Sequence, residues 1–129
     1  MFKNSLFQGN AGLGQAIAHY TKHGYGVAIP LTDCEDWDLI ISKDSNLRKV
    51  QVKTGTQQGS NGSEIFEASV KGGNNGRNKT NKIISVQDWD ELFLYHIVTG
   101  LTAIIPKENI ESNGYISFGP LTKYKEFIV

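Results

Sequence analysis

Three polar side chains interrupt two otherwise apolar stretches, and their spacing suits hydrolytic chemistry. Asp38 lies inside Trp37-Asp38-Leu39-Ile40-Ile41, while Gln51 and Lys53 interleave with Val50 and Val52 in Leu47-Arg48-Lys49-Val50-Gln51-Val52-Lys53. Both stretches read as strands, joined into a β-hairpin through the polar turn Lys43-Asp44-Ser45-Asn46. Side chains alternate across a strand, so Val50 and Val52 share one face and Gln51 and Lys53 the other. A carboxylate and an ammonium on adjacent strands can then meet on one face. Burying such groups without compensation is costly, and a divalent cation is one way to supply it. Mg²⁺ takes oxygen ligands and usually keeps several waters beside one or two carboxylates. Asp38 would bring charge to it, and the Gln51 amide oxygen a neutral donor. Lys53 would orient or deprotonate an attacking water, or neutralise charge building on a phosphoryl group. A structural Asp–Lys ion pair at the end of a two-stranded ribbon fits the same short spacing.

The elements that must position these groups begin with a helix. Leu13, Ala16, Ile17 and Tyr20 recur at i, i+3, i+4 and i+7, which predicts a helix over about 12–23 with one apolar face. Gly24 is placed to stop it, and Lys22 and His23 suit the negative end of its dipole. Gln15, His19 and Lys22 fall on the opposite face. Gly9, Gly12 and Gly14 crowd the helix start, a sign of close packing or close approach by a ligand. Further strands are expected at 25–29, 64–70, 92–98 and 101–105, the last two around a tight Thr99-Gly100 turn. Residues 54–63 read as a loop. The aromatic tail (Tyr115, Phe118, Tyr124 and Phe127) is expected to cover an exposed edge or a partner. One helix followed by hairpin strands implies an α+β fold: a mixed central sheet with the N-terminal helix packed on it.

The composition bounds the rest. A chain of 129 residues with 39% hydrophobic and 20% charged residues fits a single domain, 1–129, with a substantial core. Thirteen basic residues balance thirteen acidic ones, which excludes a polybasic mode of nucleic-acid attraction. The balance conceals a separation. Residues 71–82 (KGGNNGRNKTNK) carry Lys71, Arg77, Lys79 and Lys82 and no acid, so the remainder of the chain is net negative. Such a segment can follow a phosphate backbone without reading bases. Arg48 and Lys49 are secondary phosphate-contact candidates. The single cysteine, Cys34, cannot form an intramolecular disulfide, and no Cys/His cluster offers a zinc site. Without an apolar leader, or any window approaching the ~18 apolar residues of a membrane span, the expectation is an intracellular, cytoplasmic protein with no membrane partner.

The stretch from Gly9 to Gly55 resembles the PD-(D/E)XK nuclease superfamily, and within it the small branch of group I intron homing endonucleases and related phage and bacterial endonucleases. The likeness rests on the Gly-rich helix start, Gly24-Tyr25, Val27, Pro30-Leu31, Trp37-Asp38-Leu39-Ile40 and Val50-Gln51-Val52-Lys53, in that order. It continues more loosely through Phe66-Glu67-Ala68-Ser69 and Ile104-Ile105-Pro106. The resemblance implies a restriction-endonuclease-like core and a Mg²⁺-dependent DNA endonuclease, with Mn²⁺ as a substitute. It assigns Asp38 as the metal-binding Asp, Gln51 to the Asp/Glu position and Lys53 as the motif lysine. A helix Glu often completes such sites, yet residues 9–23 contain no acid. Gln15 is the nearest polar substitute and Leu13 the other position the alignment allows. Asp33, Glu35 and Asp36 could lend a second carboxylate, although such a run is more commonly a solvated loop. Double-stranded or branched DNA is the implied partner. Cutting both strands with one site per chain implies a homodimer or homotetramer.

Overall fold

The computed structural model describes residues 5–67, 84–111 and 114–129. Helix α1 (Ser5–Lys22) buries the stripe the periodicity marks. Ala16 and Tyr20 are fully buried, and Leu13 and Ile17 pack beside them against Leu39, Ile41, Val50 and Phe93. The helix starts well before the expected residue 12. Leu6 and Phe7 in its first turn are 76% and 58% exposed, so no apolar stripe announces that part. Gly12 shows why a glycine stands mid-helix: a Cβ there would run into Thr54 Oγ1 and crowd Val52. The close approach seats α1 directly on the sheet.

That sheet has five strands in the order β1 (Gly26–Ala28), β2 (Leu39–Lys43), β3 (Asn46–Gly55), β6 (Glu91–His96) and β7 (Thr102–Pro106). It is mixed. Neighbours run antiparallel except β3 and β6, which pair in parallel from Val50↔Glu91 to Gly55↔His96. A parallel pair needs a long crossover, and the chain between them builds part of a second sheet. This sheet orders β4 (Gln57–Gln58), β5 (Glu64–Glu67) and β8 (Tyr115–Phe118), all antiparallel. The β2–β3 hairpin turns on Asp44 and Ser45, at φ 51° and 67°. Two successive left-handed residues match the twist of the flanking strands in a two-residue turn.

Two expectations change in the structure, and a third is met as far as the described residues reach. Residues 54–63 are not all loop, because β3 runs on to Gly55 and β4 follows. The strand expected at 64–70 is described as far as Glu67, and its remainder lies outside the described residues. The aromatic tail does not await a partner as a whole. Phe118 and Tyr124 are buried in a cluster with Phe66, Trp89, Leu92, Leu94 and Ile116, and Phe127 packs against it. Tyr115 alternates to the outer face of β8 and is 61% exposed.

Candidate active site

Strand β2 begins at Leu39, opposite Val50, so the last residues of β3 run past its start. Asp38 occupies the junction. Its backbone N–H donates to the Val50 carbonyl at 2.8 Å, and its Oδ2 accepts the Val52 N–H at 2.7 Å. The carboxylate thus replaces the carbonyl that a longer β2 would have offered Val52, and fixes the side chain. The Asp38 N–H bonds to Val50, which already faces Leu39, so the regular ladder ends here. Val50 and Val52 face the helix, and Gln51 and Lys53 share the other face of β3 by alternation.

Burial raises the pKa of Asp38 above the ordinary carboxylate range. The Val52 N–H and the Lys53 ammonium act against that rise, and the charge of Asp33 adds to it. Gln51 Oε1 is buried and has no hydrogen-bond partner among the described residues. A buried amide oxygen without a donor is costly. Both Asp38 and Gln51 line a recess of about 450 Å³, with Leu13, residues 29–33 and residues 35–37 forming the rest of its wall.

The donor set suits a hard divalent cation. Asp38, its carboxylate held at one oxygen, and Gln51, whose amide oxygen is buried behind the wall, both line an open recess, and Mg²⁺ fills its remaining positions with water or phosphate oxygens. Among the described residues no three or more His, Cys, Asp or Glu side chains gather into a metal-holding group. Any ion here would therefore rest on few protein ligands.

A larger recess, about 800 Å³, lies at the other end of β3 and includes Arg48, Trp89, Glu91 and Lys107. Its buried acid is already satisfied: the Arg48 guanidinium sits 2.9 Å from Glu91 Oε1, and the Tyr20 hydroxyl donates to Oε2 at 2.6 Å. Size alone does not select the site.

The structure brings together Asp38 and Gln51, with Lys53 near enough for its charge to act on Asp38. It does not bring Gln15 to them. Gln15 is exposed and lines a separate recess of about 250 Å³ with Ala18, His19, Lys22, His23, Phe93 and Thr102. Two steps along a helix of about 3.6 residues per turn reverse the facing, so Leu13 takes the wall near Asp38 and Gln15 turns away. Arg48 is paired with Glu91, and Lys49 holds Asp88 through both carboxylate oxygens at 3.0 and 2.8 Å. Both pairs lie at the surface, with Arg48 and Lys49 side chains 49% and 39% exposed. Lys71, Arg77, Lys79 and Lys82 lie outside the described residues. Asp33, Glu35 and Asp36, more readily taken from sequence as a solvated loop, all line the recess. The only signal for them was their nearness to Asp38 in the chain.

No curated protein matches this chain. Among solved structures, the bacterial homing endonuclease I-Ssp6803I shares the fold at a TM-score of 0.76 and 21% identity, over 98% of this chain and 88% of the other. The family profile described as PD-(D/E)XK endonuclease matches residues 4–120. That span takes in the helix, the Asp38 junction, the whole of β3 and the strands of both sheets. The likeness of fold runs along nearly the full length, and by the profile match the chain belongs to the PD-(D/E)XK endonuclease family.

Proposed function

We propose that this protein is a metal-dependent DNA endonuclease that hydrolyses phosphodiester bonds in double-stranded or branched DNA, of the homing or phage type. The observation that carries this reading is that Asp38 and Gln51 line one recess, the Gln51 Oε1 being buried with no partner among the described residues. Asp38 and Gln51 would hold the cation, and Lys53 lies on the same strand face. When bound, Mg²⁺ or Mn²⁺ polarises a phosphoryl oxygen and stabilises the leaving oxygen. Lys53, as an ammonium, would donate to the attacking water, hold it in line with the scissile bond and neutralise the charge that builds on the phosphoryl group. As the new P–O bond forms, the bond to the leaving oxygen breaks and the water's proton passes to solvent. Val52 N–H keeps Asp38 from rotating out of place. Leu13 contributes no charge, which leaves the described wall of the helix apolar. Lys71, Arg77, Lys79 and Lys82 supply phosphate contacts that weaken steeply with salt. A homodimer or homotetramer of this intracellular protein would place two sites on the two strands. Among the described residues no helix is long and apolar enough to cross a membrane.

A second reading, a nuclease-fold DNA-binding module with weakened catalysis, is favoured by the apolar Leu13 that α1 brings to the recess. Plasmid cleavage with and without Mg²⁺ separates the two. The wild type should nick or cut only with the metal, and Asp38→Ala and Lys53→Ala should each fall by about 100-fold or more. Cleavage by Lys53→Ala at the wild-type rate would remove that lysine from the mechanism. DNA binding insensitive to EDTA, with no cleavage in Mg²⁺ or Mn²⁺, would establish the binding module instead.

A further inference from the structure

Helix α1 also lines the smaller recess of about 250 Å³, whose polar side chains are Gln15, His19, Lys22, His23 and Thr102. It shares no residue with the Asp38 recess, and the hydrolytic reading uses none of its side chains. Two of them are imidazoles four positions apart, which places both on one face of the helix. His23 follows the last residue of α1, yet its backbone N–H still donates to the His19 carbonyl at 3.1 Å and continues the turn. The two rings stack at 4.3 Å between centres, with 29° between their planes.

Hydrogen bonding fixes the tautomer of His23. Its Nδ1 lies 2.7 Å from the His19 carbonyl oxygen, which can only accept. The proton therefore sits on Nδ1, and the neutral ring keeps its lone pair on Nε2. A ring N–H given to a backbone carbonyl is the arrangement that metal-ligating histidines almost always show. The His19 ring is held in turn by Tyr20, edge-on at 5.5 Å, and by the buried Phe93 at 5.7 Å. No described carboxylate lines the recess.

We propose that His19 and His23 form a two-imidazole site for a first-row transition-metal cation of the Zn²⁺ class, distinct from the oxygen site at Asp38 and Gln51. Imidazole suits zinc, copper and nickel, whereas Mg²⁺ demands oxygen. Two nitrogens on one tetrahedral ion, each about 2.0–2.1 Å from it, stand roughly 3.3 Å apart. Rings stacked at 4.3 Å reach that spacing by small side-chain rotations. Water fills the remaining positions. The Lys22 ammonium on the same recess opposes the charge of the ion, so binding is readily reversed by a chelator.

The test is isothermal titration of Zn²⁺ into the untagged, DNA-free chain at about pH 7.5 in excess Mg²⁺, with circular dichroism confirming the fold of each variant. Wild type, His19→Gln and His23→Gln are compared, since glutamine is a polar side chain that a helix accommodates well. The wild type should bind Zn²⁺ saturably despite the Mg²⁺, and each variant should weaken that binding by about tenfold or more. Absence of saturable binding in the wild type would overturn the proposal, as would displacement of the Zn²⁺ by Mg²⁺. So would either variant staying within about twofold of wild type, because a paired site needs both rings. None of these results bears on the Asp38 recess, which plasmid cleavage in Mg²⁺ tests separately.

Discussion

Glu91 and Asp38 are acids on opposite flanks of β3, and the fold treats them differently. Glu91 opens β6 across from Val50, is 5% exposed, and has both oxygens occupied, one by the Tyr20 hydroxyl and one by Arg48. It knots α1, β3 and β6 together. Burial first, and the Glu91 carboxylate next, push the Tyr20 hydroxyl far above its usual pKa, so it stays a donor at any physiological pH. Asp38 is pinned at one oxygen by Val52 N–H, and the Gln51 amide that lines the same recess has a buried oxygen with no partner among the described residues. Both acids break apolar surroundings, so polarity among hydrophobes does not distinguish structure from function. What distinguishes them is whether the local hydrogen bonding is complete.

The largest expected effect breaks the closed side. Glu91→Ala leaves the Tyr20 hydroxyl buried without an acceptor and opens a cavity, while Arg48, half exposed, can turn to water. The loss of unfolding free energy should be about 2–4 kcal/mol by urea titration. Tyr20→Phe, which keeps the ring and removes one bond, should cost about 1–2 kcal/mol. Neither change touches the Asp38 recess, so Mn²⁺ affinity of the folded protein should hold. If it collapses with Glu91→Ala, the two regions are not separable as described.

On the open side the sign reverses. Burial raises the pKa of Asp38, so the folded state holds its proton more tightly than the unfolded chain does. Its contribution is most favourable at acid pH and is lost as pH rises from the unfolded pKa through the folded one. Asn keeps an oxygen for Val52 N–H and carries no charge. Asp38→Asn should therefore gain about 0.5–1 kcal/mol at pH 7 while losing metal binding, a common exchange of stability for function. The gain should shrink toward zero as pH falls into the acid range. A loss of stability at pH 7 would show that Asp38 is a structural ion-pair member like Glu91.

Much of the scaffold was legible because its signals are local. The Leu13/Ala16/Ile17/Tyr20 stripe marked the buried helix face, and the alternation from Val50 to Lys53 sorted the two faces of β3. Motif order carried the family. What was not legible depends on contacts between distant positions. The first turns of α1 expose their apolar residues, so they carry no periodic signal. Whether Leu13 or Gln15 faces the recess depends on how α1 is rotated on the sheet, which Gly12 against Thr54 helps fix. The acids at 33–36 look like ordinary loop until Asp36 is seen bound to the backbone of Asp88, 52 residues on. The Tyr20–Glu91 bond joins positions 71 apart and leaves no trace in spacing.

The smallest effect tests the rim of the closed side through His19, the residue before Tyr20. Its ring stacks on His23 at 4.3 Å, meets Tyr20 edge-on at 5.5 Å and tilts against Phe93 at 5.7 Å. Burial is the main cause that lowers its pKa below 6.5, followed by the charges of His23 and Lys22. A histidine whose folded pKa is depressed contributes fully above the unfolded value, and its contribution fades as pH falls through 6.5 toward the folded one. His19 is partly exposed, so the discounted change is about a few tenths of a kcal/mol. Urea unfolding at pH 7.5 and pH 5.5 should show stability rising with pH by that amount more in wild type than in His19→Gln. His96 is common to both proteins and cancels in the difference, whereas the coupling of His19 to His23 is part of what the difference reads. Equal pH dependence in the two would mean that His19 titrates alike in both states, and that the helix rim beside the Tyr20–Glu91 bond is open to water.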